Sequence, residues 1–353
     1  MKIRLAILES DPHYLQRVVP IFNNKFGSDL EIYSFTDIDA ALNCLNEKNI
    51  DVFLSSTAFK IDSAVLPGKC GFAYLVESMD IDKIDNKKTI CKFQKCDLIY
   101  KQILSIYSEQ IPNITGISNE RAGDCKTIIF SSPSGGVGTS TVAAACAQSI
   151  ASKGYKVLYL NLETYGDADS FFSCDGQFDF SEIIYAVKST RTNRAMKLQS
   201  TVKQDQSGVY FYSSVKIAID MMDMTADDFI TLQNEIKALG TYNYIIIDVD
   251  FPKDRKFFKT FECCNNLVMV SENSTTSNLK IDKAIKAMQI MDSHSEYAIQ
   301  PKTLLIKNKC ANTKELNNHE IRLLGSFPIY EPSEPSQIAK QLSLSSNIFD
   351  QLI

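Results

Sequence analysis

The sequence is short of three things: long apolar runs, positive charge and metal-ligand spacings. No segment approaches the roughly 20 apolar residues of a membrane-spanning helix. The opening Met1-Lys2-Ile3-Arg4-Leu5-Ala6-Ile7-Leu8-Glu9 has too short an apolar stretch for a secretory signal, and no small-residue cleavage site follows it. A net charge of −5 argues against a general polyanion binder, because nucleic-acid affinity leans on Lys and Arg neutralising phosphates. No nucleic-acid partner is therefore expected, although a local basic patch remains compatible with that total. There are three histidines and ten cysteines, with no CxxC or Cys/His ligand pattern. Cys91 and Cys96 lie five apart, and Cys263 and Cys264 are adjacent. Reduced structural thiols in a cytoplasmic chain are the expectation. Internal repeats and low-complexity tracts are also missing.

What remains is an ordinary globular composition, 44% hydrophobic and 22% charged over 353 residues, long enough for two cores. The pattern alternates strands and helices throughout. In residues 1–110, strands are predicted at 2–8, 30–35, 51–55, 72–76 and 89–92. Helices are predicted from Pro12 to about Lys25, from a Thr36 cap to Glu47, and from Lys95 to Ser108. Such alternation implies a parallel sheet covered by helices. A Pro-, Gly- and Asn-containing stretch over 111–124 reads as a linker. From 125 to 353 a larger doubly wound α/β unit is expected, with strands at 126–131, 156–162, 209–213, 244–248, 266–271 and 303–307. Its helices are expected at 141–152, 226–239 and 279–291, the first stopped by Gly154.

Between the first strand and helix of that unit stands Ser132-Pro133-Ser134-Gly135-Gly136-Val137-Gly138-Thr139-Ser140-Thr141. A phosphate-binding loop works by geometry: glycines let backbone N–H groups curl around phosphates, and the following helix points its positive end at them. A lysine ordinarily adds charge, and a Ser or Thr hydroxyl binds Mg²⁺. The glycines are present and Ser140 stands at the Mg²⁺ position. Pro133 replaces the usual opening Gly and Thr139 the usual Lys. An inert Gly-rich strand-to-helix turn would look much the same. The apolar strand Tyr244-Ile245-Ile246-Ile247-Asp248, ending in a carboxylate like a Walker B element, favours a nucleotide site.

These residues carry a resemblance. Ser134 to Thr141 resembles the deviant Walker A loop, KGGxGKT, of the MinD/ParA superfamily, over about 230 residues. The resemblance implies ATP and Mg²⁺ as ligands. It places the family's DxD pair on Asn161 and Glu163, its Walker B Asp on Asp248, and the metal on Ser140 and Asp248. Glu163 and Asp248 thereby become the catalytic candidates. Nucleotide contacts fall on Ser134, Gly135, Gly136, Val137, Gly138, Thr139, Ser140 and Thr141. A base-reading Asn falls on Asn308, and a base-pocket segment on Pro328, Ile329, Tyr330 and Glu331. Within the superfamily, GGVGTST and Gly166-Asp167 resemble the TadZ/CpaE branch, in which a receiver-like domain precedes an ATPase-like one. That branch implies a homodimer, pilus or secretion assembly partners, and a cytoplasmic protein at a cell pole. Both family lysines are missing, at Ser134 and Thr139, so slow or absent hydrolysis is expected. Lys253, Arg255, Lys256 and Lys259 follow Asp248 closely; they read as a solvated basic face or as replacement charge.

The first unit resembles a phospho-receiver with its chemistry removed. The acid pair falls on Glu9 and Ser10, the acceptor on Ser55 or Ser56 instead of Asp, the hydroxyl on Ser78 and the Lys on Lys92. A flavodoxin-like domain unrelated to signalling is the other reading. The competing functions are an active ParA-type ATPase segregating DNA and a MinD-type membrane cycler. The tail carries apolar Ile338, Leu342, Ile348, Phe349, Leu352 and Ile353, with Lys340 its only basic residue. It is therefore expected to pack on the domain, leaving at most peripheral membrane contact.

Overall fold

The computed structural model describes residues 2–110, 125–189, 192–294, 298–310, 320–331 and 333–353. The proposed linker, 111–124, lies outside them. The chain separates into two compact units, Met1–Gly116 with Ser189–Thr201, and Ile117–Lys188 with Val202–Ile353.

The first unit runs β1 (Ile3–Leu8), α1 (Pro12–Phe26), β2 (Leu30–Phe35), α2 (Ile38–Lys48), β3 (Val52–Ser56), β4 (Gly71–Val76), β5 (Lys83–Ile84), β6 (Lys87–Cys91) and α3 (Cys96–Ser108). The sheet order is β2-β1-β3-β4-β6-β5, with every pairing parallel except β5–β6. This is the flavodoxin-like arrangement that strand–helix alternation predicts. Side-chain alternation along β1 feeds two cores: Ile3, Leu5 and Ile7 pack with α1 and α3, and Ala6 and Leu8 with α2. Asp37, not Thr36, caps α2, accepting from the Ala40 N–H at 2.9 Å. The short hairpin strand β5 escaped the sequence reading because two residues carry no periodicity.

The second unit opens with β7 (Lys126–Ser131), α4 (Thr139–Ala151), β8 (Val157–Asn161) and α5 (Ser181–Lys188). The next helix, α6 (Arg194–Thr201), belongs by its contacts to the first unit, which the contiguous partition at 110/125 did not anticipate. There Lys197 is fully buried, donating to Ser105 Oγ at 2.7 Å and to Glu109 at 3.0 Å. The second unit continues with β9 (Lys203–Gln204), β10 (Tyr210–Phe211), α7 (Ile219–Met222), α8 (Ala226–Ala238), β11 (Tyr244–Asp248), α9 (Lys259–Glu262), β12 (Asn266–Ser271), α10 (Thr275–His294), β13 (Thr303–Cys310), β14 (Arg322–Pro328), α11 (Pro335–Ser343) and α12 (Ser346–Phe349). Its sheet order is β14-β13-β12-β7-β11-β8-β10-β9, parallel except at β9. The glycine loop leaves central β7 at the carboxyl edge, where open α/β sheets bind ligands.

The middle of α4, Val142 to Ala147, is apolar and fully buried, as a helical segment enclosed on every face must be. Its small alanines let α11 pack closely, and Ala339, Leu342, Phe349 and Leu352 join the same core. The tail's apolar residues are thus used internally, as expected. Among the described residues no helix is long and apolar enough to cross a membrane, and all ten cysteines are free thiols.

Candidate functional site

The loop after β7 is held in a shape that few residues other than glycine adopt. Gly136 and Gly138 have φ of +75° and +87°. A Cβ on Gly138 would lie 2.5 Å from Asn308 Nδ2, so that position needs glycine twice over. Nothing approaches within 4 Å of where Cβ atoms on Gly135 and Gly136 would stand. α4 begins at Thr139, two residues earlier than the sequence indicated, which puts Thr139, Ser140 and Thr141 in its first turn. That turn has no acidic residue and no side-chain cap, so its N–H groups and positive end remain available to an anion.

Beside the loop lie the carboxylates of the neighbouring strands. Ser140 Oγ donates to Glu163 Oε2 at 2.9 Å. Asp248 ends β11 in register with Asn161 at the end of β8. Its Oδ2 accepts from Tyr159 Oη at 3.0 Å and from Asn161 Nδ2 at 3.4 Å. Its Oδ1, fully buried, has no partner. Burial pushes the Asp248 carboxyl well above the usual range, and the charge of Glu163 adds to this against the Ser140 and Tyr159 hydroxyls. Glu163 is raised too, by burial and then by Asp250, with the Ser140 bond opposing.

A carboxylate oxygen buried without a partner requires a cation or a proton. Asp248 and Ser140 fit a Mg²⁺ ion that takes its remaining ligands from phosphate and water. They do not amount to a metal cage by themselves: among the described residues no cluster of three or more His, Cys, Asp or Glu could hold an ion. The residues present therefore fit a metal–nucleotide complex.

The chain resembles known proteins in both units. The family model for a TadZ-like receiver domain matches residues 1–108, and that for an AAA domain matches residues 125–300. The chain thus carries a TadZ-like receiver domain followed by an AAA domain. Among solved structures, the ParA family ATPase from Chlorobium tepidum TLS aligns at 21% identity and a TM-score of 0.52, covering 65% of this chain and 98% of that one. A chain of the MinC:MinD cell division protein complex of Aquifex aeolicus aligns at 17% identity and a TM-score of 0.50, covering 65% of this chain and 95% of that one. Both support a shared fold. No match was found among curated proteins.

The remaining positions of this TadZ-like chain sort by structure. Asn308 is buried on β13, and its amide donates to the Val137 carbonyl at 2.9 Å, so it braces the loop. Lys309, which sequence reasoning missed, donates to the Gly136 carbonyl at 2.6 Å. Strict strand alternation would send residues 308 and 309 to opposite faces. A bulge defeats that pattern: from Lys307 to Cys310 is three steps along β13 against two, Ser326 to Pro328, along β14. Pro328 ends β14, a strand absent from the predicted set, and pairs with Cys310 near Asn308. Ile329 and Glu331 are exposed, and Tyr330 packs against the core. Ser134 is buried with its Oγ unpartnered, and its N–H donates to Ser132 Oγ at 3.1 Å. Lys253, Arg255, Lys256 and Lys259 are all exposed. The last three line a cavity of about 930 Å³ together with Met222, Met224 and Met291, a cavity whose lining includes no loop residue.

In the receiver-like unit, Glu9 is fully buried and pairs with Lys92 at 3.3 Å. Lys92 also reaches Glu77 at 3.1 Å. Burial alone would lower the Lys92 ammonium; Glu77 and Glu9 together hold it above its ordinary value. Ser55 is buried and donates to the Ser56 carbonyl at 3.2 Å. The side chains at the acid and lysine positions satisfy each other.

Proposed function

We propose that the chain binds ATP with Mg²⁺ and that the bound state stabilises a homodimer marking an assembly site for a Tad-type pilus. The observation that carries this reading is the buried, unpartnered Asp248 oxygen beside Ser140 at the mouth of an uncapped glycine loop. The loop's N–H groups and the α4 N-terminus would hold the phosphates, Ser140 and Asp248 the metal, and Asn308 the loop itself. Mg²⁺, when bound, supplies charge neutralisation on the β- and γ-phosphates. Glu163, hydrogen-bonded to Ser140, would orient water. With Ser134 and Thr139 neutral, two transition-state cations are lost, so turnover is slow. That loss weighs against an active ParA- or MinD-type motor. The TadZ-like receiver domain supports pilus-assembly partners, and the self-paired Glu9 and Lys92 support a docking or dimerising unit that receives no phosphate. The internal burial of the tail favours protein partners and at most peripheral membrane contact, for a cytoplasmic, polar location.

The test is binding of ATP, ADP and GTP to the purified chain with Mg²⁺, followed by sizing of each complex. ATP binding with a shift to dimer and turnover far below 1 s⁻¹ is expected. Absence of nucleotide binding, or turnover on the order of 1 s⁻¹ or more, overturns the reading.

A further inference from the structure

Resting on the ATP-site reading above, we propose that Lys309 supplies in cis the phosphate-binding cation that the glycine loop itself lacks. The loop Ser134-Gly135-Gly136-Val137-Gly138-Thr139-Ser140 carries no charged residue. An ATP tail brings several negative charges, and backbone dipoles with one Mg²⁺ leave part of that charge unmatched. The structure brings one lysine to this loop from a strand remote in sequence. Lys309 Nζ lies 2.6 Å from the Gly136 carbonyl. Its Cε would be 3.9 Å from a Cβ on Gly138, the residue that immediately precedes α4.

Two features of the backbone point the side chain there. The β13 bulge adds one residue between Lys307 and Cys310, so Asn308 and Lys309 both turn to the loop. Lys309 itself has φ +54°, a left-handed conformation that a lysine seldom adopts. Strained residues of this kind persist where the surroundings over-determine them, and they gather at functional sites. The ammonium is exposed. On a flexible four-carbon stem it can exchange a neutral carbonyl for a charged phosphate oxygen. The buried, unpartnered oxygens of Asp248 and Ser134 at the same loop are independent marks of a ligand there.

The basic cluster after Asp248 is the rival source of charge. Arg255, Lys256 and Lys259 border a separate cavity, and Lys259 faces Asp227 at 3.8 Å. Neither observation connects these three residues with the phosphate loop, whereas Lys253 lines a cavity with Leu162, Thr164 and Asp250.

The experiment is calorimetric titration of the full chain with ATP plus Mg²⁺ and, separately, with adenosine. Lys309→Ala should weaken ATP binding about tenfold or more, as the loss of a charge-assisted contact does, and leave adenosine binding unchanged. Lys309→Arg should retain most of the affinity. Adding Thr139→Lys to Lys309→Ala should recover ATP binding, because the loop then carries its own lysine. The pair Lys253→Ala and Lys256→Ala should bind as the unmodified chain does. If the unmodified chain binds no ATP, the nucleotide reading fails and this inference falls with it. If it binds ATP and Lys309→Ala binds equally well, the inference alone is overturned. Equal weakening of ATP and adenosine would also overturn it, since that marks a collapsed loop instead of a lost phosphate contact.

Discussion

Replacing Asp248 by Asn should make the nucleotide-free protein more stable while removing its response to Mg²⁺ and ATP. Asn has the shape of Asp without the charge. Tyr159 Oη and Asn161 Nδ2 donate to Oδ2 and would donate equally to an amide oxygen. The lost element is the ionisable, fully buried Asp248 carboxyl beside Glu163, and it is the Oδ1 of Asp248 that has no partner. The Asn amide nitrogen would take the place of Oδ1 and stay buried without an acceptor, at about 1–3 kcal/mol, so only the larger cost of a charge over a neutral group is recovered and a gain of about 1 kcal/mol is expected. For a unit of this size that corresponds to about 2–4 °C in Tm per kcal/mol. The pH dependence follows from the direction of the shifts. The folded-state carboxyls of Asp248 and Glu163 are raised, chiefly by burial, above their unfolded values. Folding then favours the protonated forms, and the penalty, nil below about pH 4, grows as pH rises toward the folded-state values. The advantage of Asp248→Asn should therefore widen from mildly acidic to neutral pH. Thermal unfolding followed by circular dichroism, with and without ATP and Mg²⁺, measures both effects. At 100 times its Kd, bound nucleotide contributes about 2.7 kcal/mol to the unmodified chain. A variant that melts below the parent without ligand, or that keeps the full Mg²⁺–ATP shift, would refute the assignment of Asp248 as a charge held for a metal.

Gly138→Ala should abolish nucleotide binding, since φ of +87° and the 2.5 Å approach to Asn308 Nδ2 both exclude a Cβ; titration with ATP and Mg²⁺ checks this, and binding within a few-fold of the parent would show that the loop tolerates another shape. Lys92→Met should destabilise the receiver-like unit by about 3–5 kcal/mol, because Glu9, fully buried, would lose its cation. Urea unfolding reads that cost, and a midpoint unchanged from the parent would mean that Glu9 is satisfied without the pair.

The limits of the sequence show in particular residues. Apolar strands next to glycine turns mark β7 and β11 unambiguously, and both occupy the predicted residues. The residues proposed for nucleotide binding are equally easy to single out, because the glycines, Ser140 and Asp248 sit in a contiguous motif or at the end of an apolar run. Two-residue strands such as β5, and short helices such as α5 and α7, carry too little periodicity to read. The passage of α6 into the first unit depends on long-range contacts, including the burial of Lys197 against Ser105 and Glu109, which composition alone would assign to solvent.

By itself, then, the sequence determined the two α/β units and a glycine loop without lysine, because local backbone preference and side-chain period act over a few neighbouring residues. Only the tertiary structure decided what surrounds that loop. A bulge in β13, invisible to period-two alternation, swings Asn308 onto the Val137 carbonyl and Lys309 onto that of Gly136. Strand order, set by packing across the whole sheet, brings Asp248 beside Asn161 and leaves a buried carboxylate oxygen without a partner.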